Sequence, residues 1–220
     1  MKRIVICLLL CAVLIQKGVS DEPIIVVANS IDRECNCDFI DLLEQNRNII
    51  IVHPSEFESY KNNTYIIILG GHEAPEGTGG IVGSILTEEE KITVTEEGCM
   101  SVKLNVWQSR QVVIVLAGRE REGTEEVCEE NKENVGSLFE GVETIRGAVK
   151  EDDLMIFLWP FPLSTTDEIA PYADSPLLSS VSELPHLVLY PLKESTWFFW
   201  IDDAPYAKYA HPTRFFFYGV

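Results

Sequence analysis

Four short runs along the chain are apolar at every position: 24–28 (IIVVA), 49–52 (IIIV), 65–69 (YIIIL) and 112–116 (VVIVL). A strand with one face in water alternates apolar and polar residues, so unbroken runs of this length predict strands buried on both faces, as in a parallel sheet covered by helices. The intervening stretches have helical spacing or helix-like composition. Residues 38–46 place Phe39, Leu42 and Leu43 on one side, and further helices are predicted over 55–62, 79–90 and 123–135. Ser55 with Glu58 three residues on has the spacing of a capping box. Strands and helices alternating at these lengths predict an α/β fold with a doubly wound, mostly parallel sheet. The interval 92–107 departs from the alternation, and 102–107 is predicted to pair with the strand that follows it as an antiparallel edge.

After about Gly147 the pattern changes. Prolines become frequent, and aromatic-rich strands are predicted at 154–159, 186–190, 196–201 and 214–218. The organisation expected is therefore a leader at 1–20, an α/β domain at 21–146 and a β-rich C-terminal unit or extension at 147–220. The leader is read from Met1-Lys2-Arg3, an apolar run from Ile4 to Ile15, and Gly18 and Ser20 at the −3 and −1 positions before Asp21. These are the three parts of an export signal. The apolar run is shorter than the roughly 20 residues a bilayer span needs, so cleavage between Ser20 and Asp21 is expected, with no transmembrane span afterwards; retention as an N-terminal anchor is the alternative.

Charge narrows the partners. Losing Lys2, Arg3 and Lys17 takes the formal charge from −18 to −21. Nucleic-acid binding relies on clustered Lys and Arg to displace counterions, and this composition argues against it; cations, neutral surfaces or other proteins are the expected partners. Four cysteines remain after the leader: Cys35, Cys37, Cys99 and Cys128. In an exported chain an even number is first read as disulfides. A bridge within Cys35-Asn36-Cys37 would be severely strained, so pairing of Cys35 or Cys37 with Cys99 or Cys128 is expected. The same two close thiols leave a thiol-redox role open. Asn62-Asn63-Thr64 is an acceptor sequon for N-glycosylation.

Ligands of an open parallel sheet bind beyond the carboxyl ends of its strands. The residues there are Asn29, Asp32 and Cys35 after the first strand, His53 after the second, Gly70 to Glu73 after the third, and Gly118, Arg119 and Glu120 after the fourth. His53, His72 and Glu73 form a candidate set for a divalent cation, the only cofactor the sequence suggests, and through it for a metal-dependent hydrolase. Neither H-E-x-x-H nor G-x-S-x-G occurs. The glycine-rich stretch 70–80 has the wrong spacing for a phosphate cradle, and Glu73 and Glu76 would repel a phosphate. Within 197–214, Asp202 and Asp203 with His211 and Arg214 form a second candidate cluster, for a cation or for pairing around a turn.

The blocks IILGGHEAPEGTGGIV at 67–82, VW at 106–107, QVVIVLAGREREGT at 111–124 and EEN at 129–131 resemble a module of exported archaeal cell-envelope proteins, S-layer-related ones among them. The resemblance spans about residues 65–135. It implies an extracellular or envelope location and partners among other envelope proteins or surface components, and it brings no catalytic residues with it. The expected function is an exported, non-enzymatic envelope or extracellular module, structural or partner-binding. A metal-dependent hydrolase at the strand ends and a thiol-redox protein using Cys35 and Cys37 are the alternatives.

Overall fold

In a computed structural model of the chain, the described residues are 22–148, 155–158, 161–169, 190–202 and 213–220. The expected leader with its Ser20/Asp21 junction, residues 186–189 of the strand expected at 186–190, and Asp203 and His211 lie outside them. The first half contains β1 (Ile24–Ala28), α1 (Ser30–Cys35), α2 (Cys37–Asn46), β2 (Ile49–Val52), a 3-10 turn (Pro54–Ser59), β3 (Tyr65–Leu69), α3 (Thr78–Gly83), α4 (Glu88–Glu96), β4 (Cys99–Leu104), β5 (Val112–Ala117) and the long α5 (Arg121–Ala148). Five strands form one sheet in the order β2-β1-β3-β5-β4. β1, β2, β3 and β5 run parallel, and β4 lies antiparallel to β5 at the edge. The α/β, mostly parallel sheet is thus observed.

Strand residues alternate between two faces, and both faces are covered. Val26, Ile67 and Ile114 pack with Phe39, Ile40 and Leu43 of α2 and with Val135, Leu138 and Phe139 of α5. On the other face Ile25, Ile66 and Val113 pack with Phe57, Val82, Leu86 and Val94. Ile25, Ile66, Ile67, Ile68 and Ile114 are completely buried, which is why their runs carry no polar alternation. Gln111, also fully buried, supplies the polar counterpart at the start of β5: its Nε2 donates to the carbonyls of Lys61 and Asn63, both at 2.7 Å, and its Oε1 accepts from the Trp107 amide.

Beyond α5, β6 (Met155–Leu158), β9 (Thr196–Asp202) and β10 (Thr213–Gly219) make an antiparallel sheet in the order β10-β9-β6, and β7 (Glu168–Ile169) pairs with β8 (Tyr190–Pro191). Trp197, Phe199 and Ile201 turn inward and join the same core as α5. Trp197 Nε1 donates to Ser137 Oγ at 3.0 Å and Tyr218 OH to Glu140 Oε2 at 2.8 Å. α5 is therefore sandwiched between the two sheets. The outward rows carry Phe157 stacked on Trp200, and Phe198 against Phe215 and Phe217. In the same hairpin Asp202 stands opposite Thr213, one residue from Arg214.

Three expectations are corrected. The four cysteines are free. Cys99 packs on the α4 side of the sheet, whereas Cys128 is buried on the α5 side, the side that also carries α2; the sheet separates Cys99 from the other three, and Cys37 is exposed while Cys128 is enclosed. The helix expected at 79–90 is two helices, because α3 ends at Gly83 and α4 starts afresh from Thr87, whose side chain and Glu90 form a complete capping box. Ser55 does not cap the segment after β2. Pro54 occupies its first turn, the cap falls on His53, and Glu58 instead pairs with Lys61.

Candidate functional site

The chain leaves β1 to one side for β2 and then crosses to β3 on the other side, so β1 and β3 flank the point where the winding reverses. A crevice of about 310 Å³ opens there, beyond the carboxyl ends of β1, β3 and β5. This is where open α/β sheets bind ligands. One wall is Asn29, Ile31 and Asp32; the floor is Gly70, Gly71, His72, Glu73, Ala74 and Pro75; the far wall is Gly118 through Arg121 with Thr124, closed off by Val94 and Thr95 of α4.

Asp32 is the most constrained of these groups. Asn29, fully buried, caps α1: its Oδ1 accepts from the Asp32 amide at 2.8 Å, and its Nδ2 donates to Asp32 Oδ2 at 2.5 Å. Asp32 is 5% exposed. Its Oδ1 makes no hydrogen bond to the described residues, and Asp32 lines the crevice. Burial raises its carboxyl above the usual value of 3.8, the Asn29 bond opposes this, and the Glu76 charge adds to it. The hydroxyls in the crevice are engaged with backbone. Thr95 donates to the Lys91 carbonyl at 2.9 Å, and Thr124 Oγ1 accepts from Gly118 N–H at 3.1 Å.

His53, His72 and Glu73 are not brought together. His72 and Glu73 line the crevice, with His72 Nδ1 buried and lacking a hydrogen-bond partner. His53 lies outside it. There, Nδ1 accepts from the Ser55 amide and lies 2.8 Å from Ser55 Oγ, so Nε2 donates to Glu76 Oε2 at 3.0 Å. Glu76 also accepts from Ser30 N–H and Oγ–H. Ser30, its backbone and His53 hold the Glu76 carboxyl down at about 2. Among the described residues no group of three or more His, Cys, Asp or Glu side chains is arranged to hold a metal ion.

Two of the thiols, Cys99 and Cys128, are poorly placed for chemistry. Burial, with the Asp32 and Glu125 charges, pushes the Cys128 thiol up to about 12. Burial likewise raises that of Cys99. A thiol far above its usual range is not a nucleophile at neutral pH. Asn62 is exposed in the turn before β3, as a glycan acceptor must be. No helix among the described residues is long and apolar enough to cross a membrane. No protein-family model, curated protein or solved structure matches the chain.

Strand-end position in the sequence points to Asn29, Asp32, Arg119 and Glu120; it does not point to Arg121, Thr124, Val94 and Thr95, or to the link from Ser30 through Glu76 to His53. The one local signal for the Asp32 arrangement was Asn29-Ser30-Ile31-Asp32, an Asx residue one turn before a carboxylate at the start of a helix.

Proposed function

We propose that the protein is an exported, non-enzymatic module of the cell envelope or extracellular space that binds a partner or ligand in the crevice at the ends of β1, β3 and β5. The observation that carries this reading is the crevice where the winding of the sheet reverses: 67–82 supplies the end of β3, the crevice floor and most of α3, and 111–124 supplies β5 and the far wall. What the resemblance covers is thus largely what builds the crevice. The engaged hydroxyls and the separation of His53 from His72 favour binding over hydrolysis. The layout of residues 1–20, the acidic composition and the exposed Asn62 accord with a life outside the cytoplasm.

Fractionation of cells expressing the full chain tests the reading. Recovery from the envelope or medium with Asp21 as first residue is expected, and deletion of 1–20 should hold the protein inside. Recovery from the cytosol beginning at Met1 would overturn it.

A further inference from the structure

The amino end of α5 lines the same crevice as Asp32. The first intrahelical bond of α5 runs from Thr124 N to Glu120 O at 3.0 Å, so the amide of Arg121, which lines the crevice, precedes it and has no acceptor within the helix. Such a terminus carries partial positive charge and favours a carboxylate. Asp32, 5% exposed and bonded only through Oδ2, presents an acceptor that favours a cation or a strong donor. One crevice thus offers an acceptor for a positive group on the β1 side and donors for a negative group on the β5 side. Ile31, Val94 and Pro75 supply apolar wall between them.

We propose that the crevice binds a free α-amino acid, its ammonium on Asp32 Oδ1 and its carboxylate at the amino end of α5, on the Arg121 amide beside the Arg119 and Arg121 side chains. The size fits: about 310 Å³ is at the small end of ligand pockets, suited to a single residue more than to a peptide. The charge fits as well. Arg119 and Arg121 are outnumbered by Asp32, Glu73 and Glu120, which disfavours a net anion and favours a ligand that is neutral or cationic overall. Neutral and basic amino acids should therefore bind, and acidic ones should bind more weakly. The proposal rests on the crevice being a binding site and is independent of the export experiment, so either can fail without the other.

Thermal-shift and calorimetric titration of the purified protein at neutral pH decide it, with alanine, lysine, glutamate, propionate, ethylamine and phosphoethanolamine as probes at about 10 mM, enough to fill any site tighter than about 1 mM. Alanine and lysine should raise the melting temperature. Propionate and ethylamine, each with half of the recognition, should not, and Asp32→Asn should weaken alanine binding about tenfold or more. The proposal is overturned if no amino acid binds, if ethylamine or propionate matches alanine, if Asp32→Asn binds as well as the wild type, or if phosphoethanolamine alone binds, which would point to a phosphate-bearing head group. Should Asp32→Asn not fold, selectivity among the probes on the wild-type protein is sufficient to decide.

Discussion

A methyl group at residue 70 would stand 2.5 Å from Asp32 Oδ2, in the space the carboxylate needs to meet Asn29. Gly70 also has φ +110°, which side chains rarely adopt. The end of β3 and the crevice wall are therefore fitted to each other through the absence of one carbon. Gly70→Ala should cost about 2 kcal/mol or more from backbone strain and the displaced carboxylate together. Gly80 is the control: it is helical, and a Cβ there meets nothing within 4 Å. Gly80→Ala should stabilise by roughly 0.5–1 kcal/mol. Urea denaturation of both variants reads the contrast, and equal effects would remove the special role given to Gly70.

The Asp32 carboxyl gives a pH dependence of definite sign. Its value is raised in the folded protein above 3.8, burial being the largest cause. The folded state therefore binds the proton more tightly than the unfolded one. Its contribution is fully present below 3.8 and is lost as pH rises through the raised folded value. Asp32→Asn keeps an acceptor for Asn29 without the charge. The variant should melt close to the wild type in acid and above it at neutral pH. Melting curves across that range would reject this if the difference stayed constant or changed sign.

The buried parallel strands were legible because a strand covered on both faces has no reason to carry polar residues, and Ile66, Ile67 and Ile68 are all fully buried. Helix ends were less so. Ser55-x-x-Glu58 and Thr87-x-x-Glu90 look alike in sequence, yet only the second closes a capping box, since Pro54 moves the start of the first segment back to His53. The site was legible to the level of strand ends. Which carboxylate is buried depends on Gly70, Asn29 and the backbone of α1 meeting in space, and the separation of His53 from His72 depends on their lying after strands on opposite sides of β1. Neither follows from spacing.

Glu90 shows the opposite electrostatics. Burial acts to raise its carboxyl, but Lys103 Nζ, the Thr87 amide and Ser101 Oγ, at 2.5, 2.8 and 2.8 Å, outweigh this and bring it from 4.5 to about 2. The contact fastens α4 to β4. A carboxyl lowered on folding contributes stability that is present above 4.5 and lost as pH falls toward about 2. Partial exposure screens the pair, so the effect is modest. Glu90→Gln should destabilise at neutral pH and flatten the acid side of the stability profile, as followed by circular dichroism. An unchanged acid profile would show that the Lys103 contact contributes nothing to folding.

His72 and His53 should respond differently to truncation, because they do different work. His72 Nδ1 is buried with no partner, and an unsatisfied buried group costs the folded state roughly 1–3 kcal/mol. Its removal offsets the packing lost with the ring, so His72→Ala should change stability by no more than about 1 kcal/mol. His53 caps the 3-10 turn and holds Glu76 of the crevice loop. His53→Ala should therefore cost about 1 kcal/mol through the lost cap, and it frees Glu76 from the bond to Nε2. A shared metal centre would make the two variants alike: both would shed a stoichiometric ion and both would lose the same increment of melting temperature. Denaturation curves with elemental analysis of the three proteins separate the cases. Zinc kept by the wild type through dialysis and missing from both variants would return His53, His72 and Glu73 to the hydrolase reading and displace the binding module.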